Sequence, residues 1–185
     1  MTLEPTHMVA ANAAERNGVD TDKTRAGVDK ATFFAIMGAF PTGVTIVTAL
    51  DPDGAPRGLT SNAVCSVSAE PPLLLVCVDK RSQTLPALQH SRRFVVNYLS
   101  AGRDALANLF ASKEPDKFAD VAWRPAGNGM PLLHEDSLAW AECSVVQDVD
   151  AGDHIIFIGQ VEDGEAPMPA SQPLMYFRRT YGTWE

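Results

Sequence analysis

The sequence predicts a mainly β fold, a β-barrel carrying a few short helices. Three observations lead there. Segments rich in β-branched and other apolar residues recur at about 44–50, 58–67, 72–79, 94–99, 138–149 and 154–163, separated by turns rich in Gly, Pro, Asp and Ser. Helical spacing is confined to short stretches. No Gly-x-Gly-x-x-Gly follows a strand, so the βαβ pattern of a dinucleotide-binding sheet is missing.

Residues 1–28 are polar and mixed, with no sustained period, and are expected to form a tail, disordered or draped on a partner subunit. Asp29 reads as an N-cap. After it Phe33, Ile36, Met37 and Phe40 recur at helical spacing, the signature of an amphipathic helix that Pro41 and Gly43 end. The β-branched run Val44 to Leu50 is the first strand. Asp51-Pro52-Asp53-Gly54 is a turn, because proline presets φ and glycine accepts positive φ. Strands over 58–67 and 72–79 follow, then a helix at about 84–90 with Pro86 in its first turn. After the strand at 94–99 comes a helix at about 103–111, where Leu106, Leu109 and Phe110 share a face. The strands at 138–149 and 154–163 are joined by Asp150-Ala151-Gly152-Asp153, a hairpin loop. A last edge strand is expected in Pro173 to Gly182.

Composition narrows the functional classes. The chain has 185 residues, enough for one domain and a tail, with a core of ordinary size. The formal net charge is −8, and the nearest thing to a basic cluster is a pair such as Arg92-Arg93 or Arg178-Arg179. Nucleic-acid binding needs clustered cations, so that class is disfavoured. The longest strongly apolar run, Leu73 to Val78, is too short to cross a bilayer, and no secretory leader is visible. Cys65, Cys77 and Cys143 form no CxxC, and His7, His90, His134 and His154 show no ligand spacing with them. We therefore expect buried free thiols, no metal, and a reducing, cytoplasmic setting.

Four constellations carry possible chemistry. Gly58-Leu59-Thr60-Ser61-Asn62-Ala63, with Ser66 and Ser68, concentrates small polar side chains in one stretch. It is either a water-facing edge strand or a wall of donors and acceptors suited to a flat heteroaromatic ring. Asp79-Lys80-Arg81-Ser82-Gln83-Thr84-Leu85-Pro86 ends an apolar strand in a charged turn before a helix. Ser82 or Thr84 can cap that helix, and the same turn can receive a phosphate beside Lys80 or Arg81. Gly152-Asp153-His154 sets a histidine at the mouth of a strand, as a surface hydrogen-bonding residue or at the rim of a pocket. Tyr176, Phe177, Arg178, Arg179 and Tyr181 interleave aromatics with arginines, fit to stack on a ring or to pack as an edge strand.

Taken in order, these segments resemble the short-chain flavin reductase family, the reductase components of two-component flavin-dependent monooxygenases. The resemblance is carried by Phe40-Pro41-Thr42-Gly43-Val44-Thr45, Gly58 to Ala63, Ser66-Val67-Ser68 with Pro71-Pro72-Leu73, Phe94 to Leu99, Gly152-Asp153-His154 and Pro173 to Tyr176. It covers residues 29–185 and implies one domain there, an FMN-binding, Greek-key split β-barrel that forms a homodimer. It further implies that NADH, less often NADPH, reduces FAD or FMN, which then passes to a partner monooxygenase. Carried over residue by residue, Thr42, Thr60, Ser61, Asn62 and Ala63 would border the isoalloxazine and its ribityl chain, with Ser66 and Cys77 lining the same cleft. Asp79, Ser82, Gln83 and Thr84 would hold the ribityl and phosphate end, and Lys117 would lie near the phosphates. His154 and Tyr176 would border the nicotinamide. Where the family often has Phe-Ala-Gly, this chain reads Phe110-Ala111-Ser112.

The resemblance asks little chemistry of the protein. Hydride transfer between two stacked rings needs proximity and orientation, so His154 is expected to orient and to shape the field rather than to act as an obligatory acid or base. Backbone donors near Asn62 and Ala63 are expected to stabilise charge on the reduced ring. Three rival readings use the same residues: a non-catalytic flavin-binding protein, a split-barrel oxidase with tightly held FMN, and a barrel with no cofactor.

Overall fold

A computed structural model describes residues 27–167 and 172–184. The expected N-terminal tail lies almost wholly outside the described residues. The first element, α1 (Lys30–Gly38), starts where Asp29 Oδ1 accepts from the Thr32 N–H at 2.8 Å, the anticipated cap. The helix is not amphipathic, however. None of its residues is buried, and Phe33, Phe34, Ile36 and Met37 all face outward.

Seven strands build the main sheet: β2 (Thr45–Leu50), β3 (Pro56–Ser61), β4 (Val64–Ala69), β5 (Pro72–Asp79), β6 (Arg93–Leu99), β9 (Ser137–Ala151) and β10 (His154–Glu165). The intervening short strands are β1 (Thr42–Gly43), β7 (Arg124–Pro125) and β8 (Pro131–Leu132). The sheet order is β3-β2-β6-β9-β10-β5-β4. The segment expected as one strand over 58–67 is therefore two strands, and they lie at opposite edges of the sheet. Only Asn62 and Ala63 join them, so the sheet must curl until its edges approach each other. The Ala63 carbonyl accepts from the Cys77 N–H at 3.0 Å, fastening that corner to β5. No ladder pairs β3 with β4, and the seam between the edges stays open.

The inner face holds Val47, Val76, Val78, Phe94, Val96 and Phe157, all fully buried. Alternation along β5 buries Leu74, Val76 and Val78 and leaves Leu75, Cys77 and Asp79 half-buried on the other face. A second cluster packs α3 (Asp104–Ala111) onto the sheet through Ala107, Phe110, Phe118 and Leu133. Between β5 and β6 runs α2 (Leu85–Ser91), which buries Leu85, Ala87 and Leu88. The loop between β7 and β8 is held from inside. Glu142, 3% exposed, accepts from the Gly127 N–H at 2.8 Å and the Asn128 N–H at 2.6 Å.

The β9–β10 hairpin turns through Gly152 at φ +65°, the first of two loop residues, as a tight turn of that hand requires. The chain ends in a second hairpin, β11 (Leu174–Phe177) and β12 (Thr180–Thr183), rather than in a single edge strand. Its β11 strand pairs with β1, setting Tyr176 opposite Thr42. The thiols depart in part from expectation: Cys143 is buried, Cys77 is partly buried and Cys65 is exposed.

Candidate functional site

A cleft of about 520 Å³ opens between the turn that follows β5 and the end of α3. Leu59 and Thr60 form its floor, Asp79, Arg81, Ser82 and Gln83 one wall, and Phe110 through Lys113 with Lys117 the other. Its size suits a drug-sized or nucleotide-sized ligand. Of the residues singled out in the sequence, Thr60, Asp79, Ser82, Gln83 and Lys117 meet there.

Local hydrogen bonding explains each position. Thr60 Oγ1 donates to the Ala107 carbonyl at 2.6 Å, which ties β3 to α3 and leaves the hydroxyl oxygen's lone pairs for a ligand. Asp79 accepts from the Arg81 N–H at 2.7 Å and from the Arg81 guanidinium at 2.8 Å. Those hydrogen bonds hold its carboxyl well below the usual carboxylate range. Ser82 Oγ accepts from the Thr84 N–H at 3.2 Å, and the Ser82 carbonyl accepts from the Leu85 N–H. The turn is thus closed by Ser82. Thr84 makes no side-chain cap and is buried, so it supports the turn from beneath and does not line the main cleft.

Lys117 Nζ donates to the Phe110 carbonyl at 2.7 Å and the Gly58 carbonyl at 3.3 Å, and burial lowers its pKa. Lys80, a candidate phosphate partner in the sequence, points elsewhere: its ammonium donates to Asp150 Oδ1 and the Gly152 carbonyl, both at 2.8 Å. Ser112 closes α3 differently from a glycine. Its Oγ donates to the Leu109 carbonyl at 2.7 Å and accepts from the Glu114 N–H at 3.1 Å, while its backbone is extended. The hydroxyl does the capping that a left-handed glycine commonly does.

The remaining predicted residues lie on surfaces next to the cleft. His154 pairs in register with Asp79, so it stands beside the cleft wall. Its Nδ1 is 2.7 Å from Asp153 Oδ1, and that contact lowers the Asp153 pKa. Cys77 shares the half-buried face of β5 with Asp79, and burial pushes its thiol up. Asn62 Nδ2 donates to Thr42 Oγ1 at 3.1 Å, and Thr42 faces Tyr176 across β1 and β11. Tyr176 packs against Tyr181 with ring centroids 5.2 Å apart. Ser61 is buried, and its Oγ accepts from the Ala63 N–H at 3.1 Å. That bond removes Ala63 from the backbone donors expected for a reduced ring. Ser66 is exposed on β4.

Sequence reasoning missed Lys113 and the part played by Phe110, Ala111 and Ser112 as a wall. The only signal was a basic residue directly after the Phe110-Ala111-Ser112 stretch. Arg81, Lys113 and Lys117 oppose a single carboxylate in the lining, and Arg81 already pairs with it. In a chain of net charge −8 this is a local cationic site. Hydroxyl, amide and cationic donors around one cleft fit the ribityl and phosphate portions of a flavin nucleotide.

Comparison with known proteins finds relatives that span most of the chain. The family model described as "Flavin reductase like domain" matches residues 37–185. A flavin reductase (NADH) from Kitasatospora aureofaciens is 49% identical over 158 residues, covering 85% of this chain and 83% of the relative. The reductase subunit of a flavin-dependent monooxygenase from Mycobacterium tuberculosis is 40% identical over 157 residues, covering 84% of this chain and 83% of that protein. Among solved structures, nitrilotriacetate monooxygenase component B from Mycobacterium thermoresistibile superposes with a TM-score of 0.80 at 37% identity, covering 85% of this chain and 87% of the other.

Proposed function

The chain belongs to the flavin reductase-like family and is an NAD(P)H-dependent flavin oxidoreductase that supplies reduced flavin to a partner monooxygenase, and we propose that the cleft between β5 and α3 is where it works. In this reading FAD or FMN is the substrate and NADH the donor, as in the name of the Kitasatospora relative. Thr60 and the Ser61-Asn62-Ala63 corner run beside the ring and ribityl chain, with Thr42, Ser66 and Cys77 around them. Asp79, Ser82, Gln83 and Thr84 shape the ribityl and phosphate end, where Lys117 also lies. His154 and Tyr176 border the open side that receives the nicotinamide.

The observation that carries the reading is the cleft lining, which brings the uncharged donors Thr60, Ser82 and Gln83 together with Arg81, Lys113 and Lys117. Hydride moves between the two bound rings by chemistry that is their own. The chain brings the rings to near-attack distance, about 3–3.5 Å, and keeps them parallel. His154 contributes orientation, because Asp153 fixes its ring. Anaerobic mixing of protein, FAD and NADH tests the reaction. Loss of the visible flavin absorbance is expected; an unchanged spectrum with both nicotinamides and all flavins sinks the proposal.

The same proposal includes a homodimer of 29–185 domains. A nine-residue helix is marginal in water unless its apolar surface packs on something, yet α1 exposes Phe33, Phe34, Ile36 and Met37 by 46% to 58%. A second copy covering that face supplies the missing contact. Light scattering should give twice the 19.9 kDa chain mass. Among the described residues no helix is long and apolar enough to cross a membrane, and with free thiols in place we assign the protein to the cytoplasm.

A further inference from the structure

The cations around the cleft differ in what they already hold. Lys80 is engaged with Asp150 and Gly152. Lys117 is partly buried, and two of its three N–H donors go to the Phe110 and Gly58 carbonyls. Arg81 binds Asp79, but its side chain is 84% exposed. Lys113 is exposed in the lining and has no hydrogen bond or ion pair among the described residues.

We propose that Lys117 is a positioning residue that fastens the end of α3 to β3, and that recognition of the ligand's phosphate charge falls to Lys113 and Arg81. This rests on the reading that a flavin nucleotide occupies the cleft. The geometry explains why a fastener is needed. Gly58 has no side chain, and a Cβ there would lie 2.6 Å from the Phe110 ring. The end of α3 is therefore pressed onto β3 at this point, bringing two carbonyl oxygens within reach of one ammonium. Two carbonyl dipoles that point at one spot are stabilised when a single cationic donor serves both. Lys117 bridges them and so sets where Phe110, Ala111 and Ser112 stand in the cleft wall. A phosphate at Lys117 is left with one N–H donor unless that bridge breaks. Lys113 faces no such conflict, and Arg81, though paired with Asp79 through Nε and one terminal nitrogen, keeps its other donors in water.

Riboflavin separates the two roles, because it has the ring and ribityl chain without the phosphate. Steady-state KM values for riboflavin, FMN and FAD are measured with NADH for wild type, K117M, K117R, K113Q and R81Q. K117M should raise KM for all three by the same factor, about tenfold if the wall shifts by an ångström or so. K117R should recover most of that loss, since a guanidinium donates to two carbonyls. K113Q and R81Q should each raise KM for FMN and FAD about three- to fivefold, with riboflavin unchanged and the gap closing in high salt. A K117M that impairs FMN and FAD but spares riboflavin overturns the positioning role. Should K117M fail to fold, a K117R without riboflavin activity overturns it as well. A K113Q that leaves all three flavins unchanged, or slows all three equally, overturns the charge-recognition half. Wild type that reduces no flavin fails the functional reading instead.

Discussion

Replacing Gly58 by alanine tests how the cleft floor is built. The new Cβ would lie 2.6 Å from Phe110 Cε1, 2.8 Å from Cδ1 and 3.4 Å from Thr48 Cγ2. Ordinary carbon contacts are about 3.5–4.0 Å, so the ring must retreat by about 1 Å. It has little room to do so. Phe110 is 1% exposed and stands edge-on to Phe118, with centroids 5.0 Å apart and planes at 88°. Overpacking of this kind costs about 1–3 kcal/mol. Alanine recovers about 0.4–1 kcal/mol by restricting the unfolded chain, which leaves a net loss of about 1–2 kcal/mol. For a domain of this size that is a fall in Tm of about 2–8 °C. Calorimetry at fixed protomer concentration reads it. The companion is Phe110→Leu. If the ring is the obstacle, the double variant is less destabilised than the two single changes added together, by about 0.5 kcal/mol or more. A Gly58→Ala protein as stable as wild type, or strict additivity with Phe110→Leu, would refute the packing argument.

Three further changes test other parts of the structure. Glu142→Ala strips two N–H groups of a charged acceptor, so urea titration should show a loss of about 3 kcal/mol or more, and a loss below 1 kcal/mol is incompatible with the buried carboxylate described above. Burial pushes the Cys143 thiol from 9.0 up to about 12. Between those values the unfolded chain sheds a proton that the folded chain keeps, so stability falls with rising pH, and Cys143→Ala should fall less steeply than wild type over that window in pH-dependent urea melts. His154→Ala should lower kcat/KM for NADH by about tenfold, roughly 1.4 kcal/mol, and change flavin Kd much less; equal kcat/KM in variant and wild type removes His154 from the site.

How much of this was legible in the sequence depended on whether one physical signal dominated a segment. The run from Leu73 to Val78 reads as a strand because β-propensity and burial agree, and β5 lies at Pro72–Asp79. Asp29 reads as a cap because its side chain needs only the local backbone. The break at Asn62-Ala63 was hidden, since small polar residues serve an edge strand and a corner equally well. Thr84 reads as presenting a hydroxyl because capping residues are judged by spacing, whereas its burial follows from α2 packing on the sheet. The direction of Lys80 was decided by Asp150, seventy positions away in the chain, which no local pattern encodes. The apolar residues of α1 matched helical spacing, but Phe34 fills the face that an amphipathic helix would leave polar.

A reductase that serves a separate oxygenase must let its flavin go, and the cleft has the physical character for that. Its two least encumbered cations, Arg81 and Lys113, stand in water, where a charge contact is worth about 1 kcal/mol or less. The amine with the most burial, Lys117, is already bonded to the chain. The one carboxylate is neutralised by its neighbour and adds no strong hydroxyl anchor. Micromolar affinity, about 8 kcal/mol, is therefore the expected ceiling. Protein loaded with FAD and passed through gel filtration should emerge colourless, with the flavin in the small-molecule fractions. Flavin that stays bound through extensive dialysis would show that the cleft closes over its ligand, and transfer by diffusion would have to give way to the rival reading of a tightly held FMN.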